Sequence, residues 1–181
     1  MTFSLALPTI HTLGPLRGKR VLLRVDFNVP IRDGRVTDDF RLALALPTIE
    51  YLRKARARLI LLSHRTDGGT LRPVARYLNR FFPTGFAPGP SAVGVLREGA
   101  VVLLENLRHA SGEEKNSSAY AKTLAALGDI FVNEAFSVSH RPHASVVRLP
   151  RLLPHAAGPL FAQEVHHLGK AFDPPHPFVL V

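Results

Sequence analysis

Arg24-Val25-Asp26-Phe27-Asn28-Val29-Pro30 is the stretch on which the fold turns. It follows directly on the apolar run Val21-Leu22-Leu23, so it reads as the carboxyl end of a buried strand. Successive strand side chains point to opposite faces, which sets Arg24, Asp26 and Asn28 on one side and Val25, Phe27 and Val29 on the other. Three polar groups on one side of a strand are costly inside a core unless they are paired. They are at home at the mouth of a parallel sheet, where open α/β folds take their ligands.

Working outward, apolar runs predict strands over 20–25, 59–63, 100–105, 129–133 and 177–181, with a weaker one near Phe86. Helical patterns lie between them. The first covers 39–56, capped by Asp38 or Asp39 and broken or bent at Pro47. The second covers 70–81, with Pro73 in its first turn. The third covers 117–127 and stops at Gly128, and the last covers 160–172. The alternation predicts an α/β fold: a mostly parallel, Rossmann-like sheet with helices on both faces, in three layers. The whole of 1–181 reads as a single domain, with the Pro-rich patch 142–159 as a loop or crossover. The final apolar run ends at Val181 with nothing after it, the expectation being a fragment cut at a domain boundary.

The chain has 181 residues, 46% of them hydrophobic, enough to build a core. Its formal net charge of +9 implies an acidic partner: nucleic acid, an anionic membrane or a phosphorylated metabolite. With no cysteine, disulfides, thiolate metal sites and cysteine nucleophiles are excluded. The apolar run 3–7 lacks a basic leader and ends at Pro8, a poor signal peptide, and no apolar stretch approaches membrane-spanning length. The expectation is a cytoplasmic protein with no membrane partner.

Polar groups recur just beyond the predicted strands: Ser63-His64-Arg65, Glu105-Asn106-Leu107-Arg108-His109, Asn133-Glu134 and Ser139-His140-Arg141-Pro142-His143. In a parallel sheet these ends share one edge. Arg24, Arg65, Arg108, Arg141, His64, His140 and His143 are therefore candidate walls of one pocket, with Arg41 early in the first helix facing the same way. Arginine forks suit carboxylates and phosphates, so the pocket reads as a site for a small polyanion. Asp26 and Asn28 are placed to hold a substrate hydroxyl or to orient an arginine. Any one of these arginines alone would read as a solvated rim residue; the clustering carries the argument. His140 and His143 lack the third ligand a metal site needs, so no metal is expected. Glu113-Glu114 reads as a helix-start charge pair. No G-x-x-x-x-G-K-[ST], G-x-G-x-x-G or G-x-S-x-G motif occurs, so the pattern is anion recognition without nucleotide recognition.

These residues resemble the N-terminal, phosphoglycerate-binding domain of the phosphoglycerate kinase family. The match is carried by 24–30 as quoted, then by Thr37-Asp38-Asp39-Phe40-Arg41, Leu46-Pro47-Thr48-Ile49-Glu50-Tyr51-Leu52, Ser63-His64, Leu71-Arg72-Pro73-Val74-Ala75, Leu104-Glu105-Asn106-Leu107-Arg108, Val132-Asn133-Glu134-Ala135-Phe136 and His140-Arg141-Pro142-His143-Ala144-Ser145. The resemblance implies phosphoryl transfer between 1,3-bisphosphoglycerate and ADP, giving 3-phosphoglycerate and ATP in glycolysis. It implies that Asp26 and Asn28 contact the glycerate, that His64, Arg108 and Arg141 bind its phosphate or line the basic patch, and that Arg41 is catalytic, nearest the transferring phosphoryl. Arg24, Phe27, Arg65, His140 and His143 complete the expected substrate-binding set. Mg-ATP or Mg-ADP would be bound by a C-terminal nucleotide-binding domain, supplied in cis or in trans, with no cofactor site in these residues. The isolated chain is expected to bind phosphoglycerate without turnover. The chain departs from the family where Asp67 holds the position of an expected arginine, with Arg65 two places earlier, and where Glu134 replaces an aspartate. The alternative is a non-catalytic basic module for nucleic acid or another polyanion. It ranks behind because aromatics are few, at 8%, and no stacking pattern is present.

Overall fold

The computed structural model describes residues 7–172. In chain order the elements are β1 (Arg20–Arg24), the short strands β2 (Ile31–Arg32) and β3 (Arg35–Val36), α1 (Phe40–Lys54), β4 (Arg58–Leu62), α2 (Arg72–Leu78), β5 (Thr84–Ala87), β6 (Val101–Leu104), α3 (Ser111–Glu114), α4 (Ser118–Ala125), β7 (Ile130–Asn133), β8 (His155–Ala157) and α5 (Pro159–Gly169). Short 3-10 turns join several of them. The strand expected over 177–181 lies outside the described residues.

Six strands form one sheet in the order β5-β6-β4-β1-β7-β8, with every pairing parallel. The order changes direction at β1: β4 and β6 add on one side of it, β7 and β8 on the other. The carboxyl ends at such a change of direction are the place where α/β sheets take ligands. The expected alternation along β1 holds. Val21, Leu23, Val25, Phe27 and Val29 enter one core with Leu42, Ile49 and Leu52 of α1 and Val74 and Leu78 of α2. Leu22 enters a second core on the opposite face, with Leu124 of α4, Phe131 and Leu149. Helices cover both faces, as the sequence predicts.

Two expectations on the elements are corrected, and one hairpin joins them. α1 runs through Pro47 without a break, since both Pro47 and Ala43, the residue whose carbonyl loses its partner, are accessible to water. The Pro-rich patch contains a strand, β8, which extends the sheet beyond β7 through Phe131–His155, Val132–Ala156 and Asn133–Ala157 pairs. Three residues, two of them alanine, give almost no β signal. The β2–β3 hairpin is not among the expected elements either, although Asp33-Gly34 at its tip is a hairpin signature: both residues take positive φ, 49° and 69°, as a type I′ turn requires. Among the described residues no helix is long and apolar enough to cross a membrane.

Candidate functional site

The ends of β1, β4, β6 and β7 bring most of the expected groups into one neighbourhood. Arg24, the last residue of β1, is fully buried. Its Nη1 donates to the carbonyls of Val25 at 2.6 Å and Leu62 at 3.5 Å, and its Nη2 lies 3.2 Å from His64 Nδ1. Burial lowers the Arg24 pKa from its ordinary value. Two residues on, Asp26 accepts from Arg41 Nη1 at 2.6 Å and from Ser137 Oγ at 2.7 Å. Asp26 thus orients Arg41, whose side chain is about half exposed at the start of α1. Asn28 accepts through Oδ1 from both the backbone N–H and the hydroxyl of Thr66, which fastens the loop after β4 against the loop after β1.

His64 is buried beside Ser63, whose hydroxyl donates to Val25 O and accepts from Phe27 N. Burial and the nearby Arg24 and Arg108 push His64 down to about 3, so it is neutral at physiological pH. His143 is also buried and is lowered, mainly by desolvation, with Arg108 and Arg141 adding to the effect and Glu113 and Glu114 opposing it. Arg108 Nε stands 3.2 Å from Glu114 Oε1, and its Nη2 is buried with no partner among the described residues. Arg141 and His140 stand on the turn after β7, both exposed. The charges of Arg108 and Asp26 bear on His64, and those of Arg108 and Arg141 bear on His143, so the two imidazoles share Arg108 as a neighbour.

Three expected ligand contacts sit elsewhere. Arg24 lies beneath the rim, since every nitrogen of its guanidinium is turned to protein. Phe27 presents only its backbone to this edge; its ring is fully buried in the core, as strand alternation demands. Arg65 turns back into its own loop, where Asp67 and the Thr70 carbonyl hold its guanidinium and Gly69 packs so closely that a Cβ there would collide with it. The same loop is stitched to the β6 end: Thr70 Oγ donates to Glu105 at 2.5 Å, and Asn106 Nδ2 donates to the carbonyls of Arg65 and Gly69.

Glu113 is the residue the sequence reading missed. It does stand in the first turn of α3, but it is fully buried there, accepting from the Ser145 hydroxyl at 2.5 Å and the Ser145 N–H at 3.1 Å. No local pattern marks it, because its partner is far away in the chain. Glu134 is buried as well and accepts from the Thr48 hydroxyl and from Phe161 N, so it ties the end of β7 to α1 and α5. Burial raises its pKa.

The histidines set a pH dependence. Below about pH 6.5 an unfolded chain protonates His64, while the folded chain holds it neutral down to about 3. The unfolded state then binds more protons, so stability is expected to fall as pH drops through this window, by up to ~1.4 kcal/mol per pH unit for one such proton. His143 acts in the same direction and Glu134, with its raised pKa, in the opposite one. Chemical denaturation between pH 7.5 and 5 should show the loss in the parent chain and a shallower slope in His64→Gln; equal slopes would refute the assignment to His64.

The chain is an α/β domain with paired arginines and neutral imidazoles gathered at a switch point of a parallel sheet. A family model described as phosphoglycerate kinase matches residues 10–181. A phosphoglycerate kinase of Methylorubrum extorquens is 47% identical over 92% of this chain and 46% of its own length. That of Moorella thermoacetica is likewise 47% identical over the same shares. Among solved structures, phosphoglycerate kinase from Coxiella burnetii superposes with a TM-score of 0.87 at 34% identity, covering 94% of this chain and 46% of that one. The Pyrococcus horikoshii enzyme gives 0.82 at 30% identity, covering 90% and 45%. The chain belongs to the phosphoglycerate kinase family, and it spans about half the length of the curated relatives it matches.

The family implies a magnesium nucleotide, and the donors at this edge do not fit one. They are arginine and histidine groups suited to an anion, and no group of three histidine, aspartate or glutamate residues poised for a metal ion occurs among the described residues. No step through that group is derived from this site.

Proposed function

We propose that this chain is the phosphoglycerate-binding half of a cytoplasmic, glycolytic phosphoglycerate kinase, with 3-phosphoglycerate or 1,3-bisphosphoglycerate as its ligand. In the complete enzyme a phosphoryl group passes between the substrate's carboxyl oxygen and ADP, and the nucleotide is held by a C-terminal domain present in cis or in trans. The observation that carries this reading is the convergence of His64, Arg108, Arg141 and Asp26 with its paired Arg41 at the carboxyl edge beside β1. Such an arrangement supplies positioning and charge neutralisation, which are what phosphoryl transfer asks of a protein. Asp26 and Asn28 contact the glycerate in this reading, and Arg108, Arg141, His140 and His143 line the phosphate patch. Arg41 meets the transferring phosphoryl. Arg65 adds little while Asp67 holds it.

The chain by itself is expected to bind 3-phosphoglycerate and to show no ATP-dependent turnover. Calorimetric titration tests this directly. Arg141→Ala should weaken the affinity by about 1.5–3 kcal/mol, the worth of a hydrogen bond to a charged group. Unchanged affinity would remove Arg141 from the phosphate patch. Tight DNA binding with a steep salt slope, and no response to phosphoglycerate, would favour a general polyanion-binding module instead.

A further inference from the structure

Beneath the rim, a line of buried hydrogen bonds runs from one wall of the site to the other. Glu113 accepts from Ser145 Oγ at 2.5 Å and from Ser145 N at 3.1 Å. Ser145 Oγ in turn accepts from Arg24 Nε at 3.2 Å, and Arg24 Nη2 meets His64 Nδ1 at 3.2 Å. Glu113, Ser145 and Arg24 are fully buried and His64 nearly so. They come from α3, the short helical turn Ala144–Arg148, the end of β1 and the loop just after β4, so no single segment would hold them in line.

The direction of every link is forced. Both Glu113 oxygens accept, so the single Ser145 hydroxyl proton goes to Glu113 and the Ser145 lone pair faces Arg24. A guanidinium has donors only. His64 Nδ1 must therefore be the acceptor, and the ring proton sits on Nε2. That nitrogen makes no hydrogen bond with a described residue and is not among the buried polar atoms left unpartnered, so it is available to a ligand.

We propose that Glu113 is a positioning residue: acting through Ser145 and Arg24, it fixes the His64 ring with its proton on Nε2, so that His64 meets the ligand as a neutral N–H donor. This rests on reading the edge as a phosphoglycerate site. A donor fixed before binding need not be ordered on binding, which is how preorganised sites gain affinity. The charges around His64 reinforce its neutrality: Arg24, Arg108 and His143 disfavour a proton there, and Asp26 favours one.

The test is histidine-ring ¹H–¹⁵N correlation spectroscopy on the chain, paired with 3-phosphoglycerate titration. In the parent, His64 should show a single Nε2–H neutral tautomer that does not titrate between pH 7.5 and 5. Glu113→Gln should blur that signature into mixed tautomers and weaken 3-phosphoglycerate about tenfold or more, while the ring signals of the exposed His155 and His166 stay put. Ser145→Ala cuts the same line with a smaller change and keeps the test available if Glu113→Gln fails to fold. The double variant should be no worse than the worse single one, as expected for groups acting as a unit. A His64 ring that titrates near its ordinary value in the parent, or an unaltered His64 signature in both variants, overturns the proposal. If the parent does not bind 3-phosphoglycerate, the functional reading fails on that result, and the ring spectra still decide whether Glu113 controls His64.

Discussion

Arg41→Ala is expected to reduce turnover about 10³-fold in a chimera that joins this chain to the remaining length of the Moorella thermoacetica relative. Its effect on 3-phosphoglycerate affinity should be much smaller. The argument is electrostatic. Arg41 is held at the start of α1 by its 2.6 Å bond to Asp26, and its side chain is about half exposed. On the proposed reading, a guanidinium in that position would meet solvent-screened charge in the ground state and charge spread over phosphoryl oxygens in the transition state. An interaction realised only in the transition state appears in kcat. Arg41→Lys keeps the charge and loses the fork, so it should recover part of the rate only. Steady-state kinetics on both variants, alongside binding by calorimetry, would check this. An equal loss in kcat and in affinity would strip Arg41 of a special role.

Phe27→Ala should destabilise the chain by about 3–5 kcal/mol, the usual cost of emptying a fully buried aromatic site. The ring is completely inaccessible and belongs to the core shared by β1, α1 and α2. Phe27→Leu should cost less, since it leaves a smaller void. Urea denaturation of the isolated chain measures both. A loss below about 1 kcal/mol for Phe27→Ala would mean that the ring is not packed as described. The family resemblance places Phe27 among ligand contacts, but it meets the edge through its backbone, whose N–H donates to Ser63 Oγ and whose carbonyl accepts from Val29 N.

How much of this is legible beforehand follows from where the controlling interactions lie in the chain. The strands with apolar runs, β1, β4, β6 and β7, can be read because burial on both faces imposes a composition. β8 cannot, because the three residues His155-Ala156-Ala157 become a strand only through pairing with β7. The edge is legible as a consequence of topology: once the sheet is parallel, every loop after a strand arrives on one side. The direction each side chain takes there is not. Arg65 is a rim arginine by its position, yet Asp67, two residues away, draws it inward. Glu113 reads as a helix-start charge, and Ser145, brought in from the helical turn Ala144–Arg148, makes it a buried acceptor. Arg24 is read on the correct face of β1 and at the wrong depth, for the same reason.

The alternation along β1 carries a constraint on how this protein can vary. Leu22 and Arg24 face one way and Val25, Phe27 and Val29 the other, in a single unbroken count. Deleting or inserting one residue between Val21 and Asn28 would exchange the two sets, driving carboxylate and amide into hydrocarbon while turning a phenyl ring toward the ligand. Chemistry and solidity are thus written on odd and even positions of one ribbon. Gains and losses of length in this lineage must fall in the exposed connections, such as the stretch around Gly94 and Val95, where no such parity is kept.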